Sequence, residues 1–245
     1  MKEDRQYFKR YEVKYILNEC EYREFRERTK DLLVVDAYGE SDICNCYYDT
    51  PDFRLIRNSM EKGIYKEKLR LRSYGVPKKK DDKVFLELKK KFDGIVYKRR
   101  EILSYEQAIE ALSSGKEHPF QAVGLDSQIY RELEWVLKYY ENLYPAMYIA
   151  YKRIAMYEPD DVDNDGLRVT FDRNLIWRTD NVDLKAGIYG EPILSPGQRI
   201  MEVKAPEAIP LWFVRILEEM KLYPTSLSKY GRAYTDRSQV QRKTA

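Results

Sequence analysis

The sequence predicts an α+β fold in which about eight antiparallel strands close into a barrel tunnel, with amphipathic helices packed outside. Three observations lead there. Segments with period-two alternation outnumber helical ones. Several strands divide into one apolar and one charged face, because residues two apart point the same way. No repeat and no long Gly-, Ser- or Pro-rich linker interrupts the chain, so residues 1–245 read as a single domain. With helices covering the apolar faces, a closed sheet would leave the charged faces lining a hydrophilic interior.

The first strand runs from Tyr7 to Leu17, with Tyr11, Val13, Tyr15 and Leu17 opposing Arg10, Glu12 and Lys14. Asn18 with Glu21 makes a capping box that opens a helix over 19–33. Ile43 to Asp49 is a short strand. In Tyr65 to Tyr74, Leu69 and Leu71 oppose Lys66, Lys68, Arg70 and Arg72; in Lys83 to Phe92, Val84, Leu86 and Leu88 oppose Glu87, Lys89 and Lys91. Asp93-Gly94 is a hairpin turn into Ile95 to Leu103, and Pro77 to Asp82 is a looser turn. Ser104 with Gln107 caps a helix over 105–114, and a further helix spans 128–142. Met147 to Glu158 and Leu167 to Trp177 are strands, the latter with Val169 and Phe171 opposing Arg168, Thr170 and Asp172. Gln198 to Lys204 sets Met201 and Val203 against Glu202 and Lys204, and a helix over 210–221 follows.

Composition narrows the chemistry. No run approaches the roughly 18 to 20 apolar residues of a membrane helix, and the charged start Met1-Lys2-Glu3-Asp4-Arg5 lacks an apolar signal core. A soluble, cytoplasmic protein is expected, which the odd count of 3 Cys fits. One histidine, His118, leaves almost nothing from which to build a His-rich zinc site or a Ser-His-Asp triad. The 22 Tyr against 8 Phe suit strands with one wet face. Residues 62–100 hold 15 Lys and Arg against 5 Asp and Glu, although the whole chain carries only +3. A surplus of that size points to a polyanion partner, with a solvated cationic surface as the alternative. E-x-K recurs at Glu12-Lys14, Glu87-Lys89 and Glu202-Lys204, beside R-x-R at Arg70-Arg72, which is unlike the mixed polar composition of an ordinary wet strand face.

Nine strings then carry a resemblance: Arg10-Tyr11-Glu12-Val13-Lys14-Tyr15, Tyr47-Tyr48-Asp49-Thr50-Pro51, Lys68-Leu69-Arg70-Leu71-Arg72, Phe85-Leu86-Glu87-Leu88-Lys89, Lys98-Arg99-Arg100, Tyr151-Lys152-Arg153, Arg168-Val169-Thr170-Phe171-Asp172, Met201-Glu202-Val203-Lys204 and Ser228-Lys229-Tyr230-Gly231. In order, from about residue 8 to residue 234, they resemble the triphosphate tunnel superfamily of adenylate cyclases, thiamine triphosphatases and tripolyphosphatases (the CYTH group), and more closely its VTC branch, the polyphosphate polymerase domain. The superfamily's E-x-E-x-K is half present, its first Glu falling on Arg10. That departs from the hydrolases and cyclases and is compatible with the polymerase branch. The eukaryotic polymerase complexes add a regulatory domain and membrane helices, neither of which is expected from this sequence.

The resemblance implies an ATP-dependent polyphosphate polymerase that moves the terminal phosphoryl group of a nucleoside triphosphate onto a growing chain. Such transfer asks for positioning and charge neutralisation more than for a covalent partner. Arg70, Arg72, Lys89, Arg153 and Arg168 are similar in position to the family's phosphate-coordinating residues; Lys14, Lys98, Tyr151, Lys204, Ser228 and Lys229 would add to substrate binding. Glu202 resembles the carboxylate that holds Mn²⁺ or Mg²⁺, with Glu12 and Glu87 as secondary candidates. The alternative for those two is an ion-pair partner spacing the cations, and for Lys98 a plain surface cation. The implied partners are a nucleoside triphosphate and polyphosphate, with a membrane partner protein left open and no nucleic acid expected, since no aromatic-rich RNA signature is present. Two other readings stay open: a tripolyphosphatase or nucleoside triphosphatase, with water as acceptor, and a non-catalytic polyanion-binding module.

Three signals lead elsewhere and are set aside. Asp161-x-Asp163-x-Asp165-Gly166 with Asp172 matches a calcium loop, but its flanks alternate as strands instead of the helices an EF-hand needs. Cys44-x-Cys46 lacks a second Cys pair or a His and reads as strand packing. Lys78-Lys79-Lys80 reads as a solvated turn.

Overall fold

The computed structural model describes residues 11–61, 63–93, 95–115, 117–161, 166–206 and 208–244. Residues 7–10 of the expected first strand, Gly94 of the hairpin turn, and Asp163 and Asp165 of the acidic loop lie outside the described residues.

In chain order the elements are β1 (Tyr11–Leu17), α1 (Glu19–Arg28), β2 (Val34–Asp49), α2 (Arg54–Met60), β3 (Tyr65–Tyr74), β4 (Lys83–Phe92), β5 (Ile95–Ser104), α3 (Tyr105–Ser113), α4 (Pro119–Ala122), α5 (Gln128–Tyr139), β6 (Tyr144–Tyr157), β7 (Arg168–Arg178), the two-residue β8 (Glu191–Pro192), β9 (Arg199–Ala205), α6 (Leu211–Glu219) and α7 (Lys229–Thr244). Both expected capping boxes form. The Glu21 N–H donates to Asn18 Oδ1 at 3.0 Å and the Asn18 N–H to Glu21 Oε2 at 2.7 Å. At α3 the Gln107 N–H donates to Ser104 Oγ at 3.1 Å, and the Ser104 N–H to Gln107 Oε1 at 3.0 Å. Such a cap satisfies two end groups at once, which is why these starts are legible in the sequence.

Other elements escape the sequence. α2 has only seven residues, and its end groups are satisfied from outside the helix: the Leu55 and Ile56 N–H groups donate to Asp49 at 2.8 and 3.0 Å. No cap stands next to it in sequence. The N-terminal half of β2 is mixed and largely exposed, with no clean alternation to mark it. α1 ends at Arg28, short of the expected residue 33, with Thr29 as its C-cap donating both its N–H and its hydroxyl to the Phe25 carbonyl.

The chain divides into two compact units: residues 1–41, 151–175 and 194–227 in the first, and 42–150, 176–193 and 228–245 in the second. Each has its own core. In the first unit α1 and α6 bring Phe25, Phe213 and Leu217 onto Phe171, Met201 and Val203, with Phe25 edge-on to both Phe171 and Phe213. In the second, α3, α4 and α5 bring Ala108, Phe120, Leu133 and Val136 onto Leu69, Leu71, Val84, Leu86 and Leu88. The apolar strand faces expected from alternation are thus the faces the helices cover, and burial of those side chains drives both layers together.

Strand order is β1-β9-β7-β6-β2-β3-β4-β5, with β8 on β7. This path is open. It ends on β1 and β5, with no pairing between them among the described residues, so the expected closed barrel tunnel is corrected to an open antiparallel sheet of nine strands with helices. Alternation fixes the side to which each residue points, but it is the same whether or not the two terminal strands are hydrogen-bonded. Closure is therefore not encoded in the pattern that predicted it. Among the described residues no helix is long and apolar enough to cross a membrane.

Candidate functional site

In the first unit, β1, β9 and β7 lie side by side, and register sets Glu12 opposite Lys204, Lys204 opposite Arg168, Lys14 opposite Glu202, and Glu202 opposite Thr170. Opposite signs alternate across the β1–β9 pair, the arrangement that stabilises cross-strand neighbours. Lys14 lies 3.3 Å from Glu12 and 3.4 Å from Glu202, and Lys204 lies 3.8 and 3.5 Å from the same two carboxylates. Arg153 reaches Glu202 at 3.6 Å and grips the buried Asp172 with two parallel bonds of 2.6 and 2.7 Å. Burial works against the charge on Arg153, and Asp172 more than offsets this, raising its pKa. Tyr151 is buried with its ring 5.2 Å from that guanidinium. Arg168 is half exposed and sits 4.0 Å from Asp36.

Glu202 and Glu12 offer hard oxygens, and Thr170 Oγ1, on the residue opposite Glu202, is buried with no hydrogen-bond partner among the described residues. That donor set suits Mg²⁺ or Mn²⁺. No group of three or more His, Cys, Asp or Glu able to hold a metal forms among the described residues. A divalent ion here would complete its shell with substrate phosphate and water, the usual habit of Mg²⁺.

In the second unit, β2, β3, β4 and β5 carry a second charged face. One row runs Tyr47, Arg70, Glu87 and Arg100 across the four strands. Glu87 is buried at its centre: Arg70 binds one oxygen at 2.6 and 2.7 Å, with Arg72 at 3.7 Å, while Lys98 and Arg100 approach the other at 3.0 and 3.3 Å. Asn45 Oδ1 accepts from Arg72 at 2.9 Å, and its amide nitrogen donates to the Ile149 carbonyl at 3.0 Å. The Arg70 guanidinium also donates to the Tyr47 hydroxyl at 3.0 Å. The next row is all cationic: Lys68 stands opposite Lys89, and Lys89 opposite Lys98. Like charges directly opposite are unfavourable on a strand pair, and an anion laid across them removes the conflict. Lys68 donates to Ser228 Oγ at 2.8 Å, and Lys229 opens α7 beside it.

The candidate residues therefore gather in two sets. Lys14, Glu12, Arg153, Arg168, Tyr151, Lys204 and Glu202 belong to the first unit; Arg70, Arg72, Lys89, Lys98, Glu87, Ser228 and Lys229 belong to the second. Glu87 has both oxygens taken by cations, the ion-pair role given above as the alternative to metal binding. Lys68 and Arg100, given no site role by the sequence, join the second set through register, and Asn45, Tyr47, Thr170 and Asp172 enter as supports. Asn45 is unmarked in sequence, and the strand faces and strings that contain the others assign them no role, because that role lies in a cross-strand partner. The Cys44 and Cys46 thiols are buried, and Asp172 lies within β7, paired with Arg153.

Burial pushes the Glu87 carboxyl up, but Arg70, Arg72 and Lys98 reverse this and hold it well below the usual carboxylate range. A depressed pKa contributes stability that is complete above the unfolded value of 4.5 and is lost as pH falls below it toward the folded value. Glu87→Gln is expected to destabilise the chain by about 3 kcal/mol at pH 7, because a buried pair loses one partner. Its acid-unfolding limb should also be flatter than that of the parent chain. Denaturant titrations between pH 3 and 7, on the order of one unit apart, check both; parallel limbs would remove Glu87 from the linkage.

The VTC domain family model matches residues 9–236. Among solved structures, a candidate adenylate cyclase from Bacillus halodurans aligns with a TM-score of 0.55 and 15% identity, covering 89% of this chain and 92% of its own. A second candidate adenylate cyclase, from Vibrio parahaemolyticus, gives a TM-score of 0.45 and 11% identity, covering 93% and 98%. No curated protein matches the chain. At 15% identity the first likeness shows a shared fold alone.

Proposed function

Because this chain belongs to the VTC domain family, we propose that it is a phosphoryl-transfer enzyme that moves the terminal phosphoryl group of a nucleoside triphosphate onto the end of a polyphosphate chain. The observation that carries this is the cross-strand row Lys68, Lys89 and Lys98 beside the four-cation cluster around Glu87. Arg70 and Arg72 present planar forks already oriented by Glu87, Tyr47 and Asn45, and the lysines supply mobile point charges.

Glu202 and Glu12, with Thr170 beside them, would hold a divalent cation, which supplies charge neutralisation on the phosphate oxygens when bound. Lys14, Lys204 and Arg153 set the orientation of Glu202. In the transfer, an oxygen of the chain-end phosphate forms a bond to the terminal phosphorus while the bond to the nucleoside diphosphate breaks. The attacking phosphate is already anionic, so no proton has to be removed and no general base is required.

The test incubates the purified chain with ATP and Mn²⁺ and separates the products on a gel. Long phosphate chains are expected. Free phosphate alone would make the chain a hydrolase with water as acceptor, and neither product would leave a polyanion-binding module. In the same assay, replacing Asp161, Asp163 and Asp165 together by Asn is expected to leave turnover largely unchanged, because the strand pattern flanking them is not that of a calcium loop. A loss as deep as that of a Glu202 variant would restore the calcium-loop reading.

A further inference from the structure

The strings Tyr47-Tyr48-Asp49-Thr50-Pro51 and Ser228-Lys229-Tyr230-Gly231 contain a carboxylate and a phenol, Asp49 and Tyr230, that no step above uses. Both are buried, and a buried polar group without a partner is strongly unfavourable. Here they satisfy each other: the Tyr230 hydroxyl donates to Asp49 Oδ2 at 2.8 Å. Asp49 also accepts from the N–H groups of Thr50, Leu55 and Ile56 at 2.9, 2.8 and 3.0 Å. One carboxylate thus ties the end of β2, the start of α2 and the first turn of α7 together. Burial raises the Asp49 pKa, while the surrounding donors pull it back.

From that first turn two lines of contact lead to the cationic face. The Tyr230 ring stacks on Tyr47, with centroids 4.4 Å apart and planes at 21°, and the Tyr47 hydroxyl accepts from Arg70. Two residues before Tyr230, Ser228 Oγ accepts from Lys68 at 2.8 Å and from the Gly231 N–H at 3.1 Å. Arg70 and Lys68 are long side chains whose rotamer freedom would be lost on binding an anion. Orienting them in advance keeps that loss out of the binding step.

We propose that Asp49 and Tyr230 are positioning residues: they fix the first turn of α7 so that Tyr47 aims Arg70, and Ser228 aims Lys68, at a bound triphosphate. Enclosed as they are, they act through those two cations. This rests on the phosphoryl-transfer reading above.

The test uses the full chain and inorganic triphosphate as the probe, with calorimetric titration at a temperature well below unfolding. Tyr230→Phe removes the bond to Asp49 but keeps the ring; Tyr47→Phe removes the Arg70 acceptor but keeps the stack. Each is expected to weaken triphosphate binding about tenfold, the effect of losing one hydrogen bond to a charged group. The double variant should bind no more weakly than the weaker single one, because both changes break one line of contact. Should Tyr230→Phe fail to fold, Asp49→Asn strikes the same bond from the other side and should reproduce the loss. A lower melting temperature with unchanged affinity, or losses that multiply, would overturn the positioning role while leaving the phosphoryl-transfer reading in place. If the parent chain itself does not bind triphosphate, both fall together.

Discussion

Glu202→Gln is expected to reduce divalent-dependent turnover by about a hundred- to a thousandfold, the range seen when one preorganised electrostatic group is removed from a reacting centre, while the chain keeps its secondary structure. The substitution preserves shape and removes charge at a side chain that faces Lys14, Lys204 and Arg153. Those three cations then lose a shared counterion. Two consequences separate a metal ligand from a mere ion-pair partner. Mn²⁺ affinity should fall, and triphosphate measured without any divalent ion should bind as tightly as before or more tightly, because the local charge has become more positive. Circular dichroism checks the fold, and paired titrations with Mn²⁺ and with metal-free triphosphate check the assignment. Unchanged Mn²⁺ affinity would remove Glu202 from the metal role. A matching loss of metal-free triphosphate binding would instead make it a structural anchor for Lys14 and Arg153.

Lys89→Ala should erase most of the stabilisation that triphosphate confers on the folded chain. A ligand at a hundredfold excess over its dissociation constant stabilises by about 2.7 kcal/mol, which makes the effect readable as a thermal shift. Lys89 is exposed at the centre of the lysine row, with Lys68 and Lys98 as its cross-strand partners. Ligand-free stability should change little, since Lys89 is exposed and pairs at an exposed site contribute little. Arg72→Ala differs. Arg72 is buried and donates to Asn45 while facing Glu87, so its removal should lower ligand-free stability as well as ligand response. The control is Lys79→Ala, in an exposed turn where the backbone N–H of Lys79 is held by Asp82. If Lys89→Ala and Lys79→Ala give the same triphosphate-induced shift, the cationic row is a solvated surface and the phosphoryl-transfer reading goes with it.

The legible parts of the fold are those written in neighbouring residues. Leu69 and Leu71 against Lys68, Arg70 and Arg72 announce which face of β3 is covered, and the structure buries that face in a core to which α2, α3, α4 and α5 all contribute. The capping residues Asn18 and Ser104 announce the two helix starts that form where expected. By contrast α2 takes its end-group partner from Asp49, beyond the positions where a cap is looked for. Glu87 shows the same limit within the site. In sequence it is one of three E-x-K carboxylates, and only the family resemblance, not its spacing, sets it apart from Glu202. The structure gives Glu87 four cationic neighbours on the two adjacent strands, and gives Glu202 a second carboxylate and, among the described residues, a hydroxyl without a hydrogen-bond partner nearby.

By itself, the sequence determined most of the strands and four of the helices, the faces of the charged residues in five strands, the surplus of cations in residues 62–100, and the family resemblance that the match over residues 9–236 bears out. These are properties of one segment at a time. Tertiary structure alone decided that the strand path stays open between β1 and β5, that Lys68, Lys89 and Lys98 share one row, and that Tyr230 reaches back to Asp49. The physical reason is common to all three. Period-two geometry assigns a side chain to a face, whereas register, strand order and closure depend on hydrogen bonds between segments far apart in the chain.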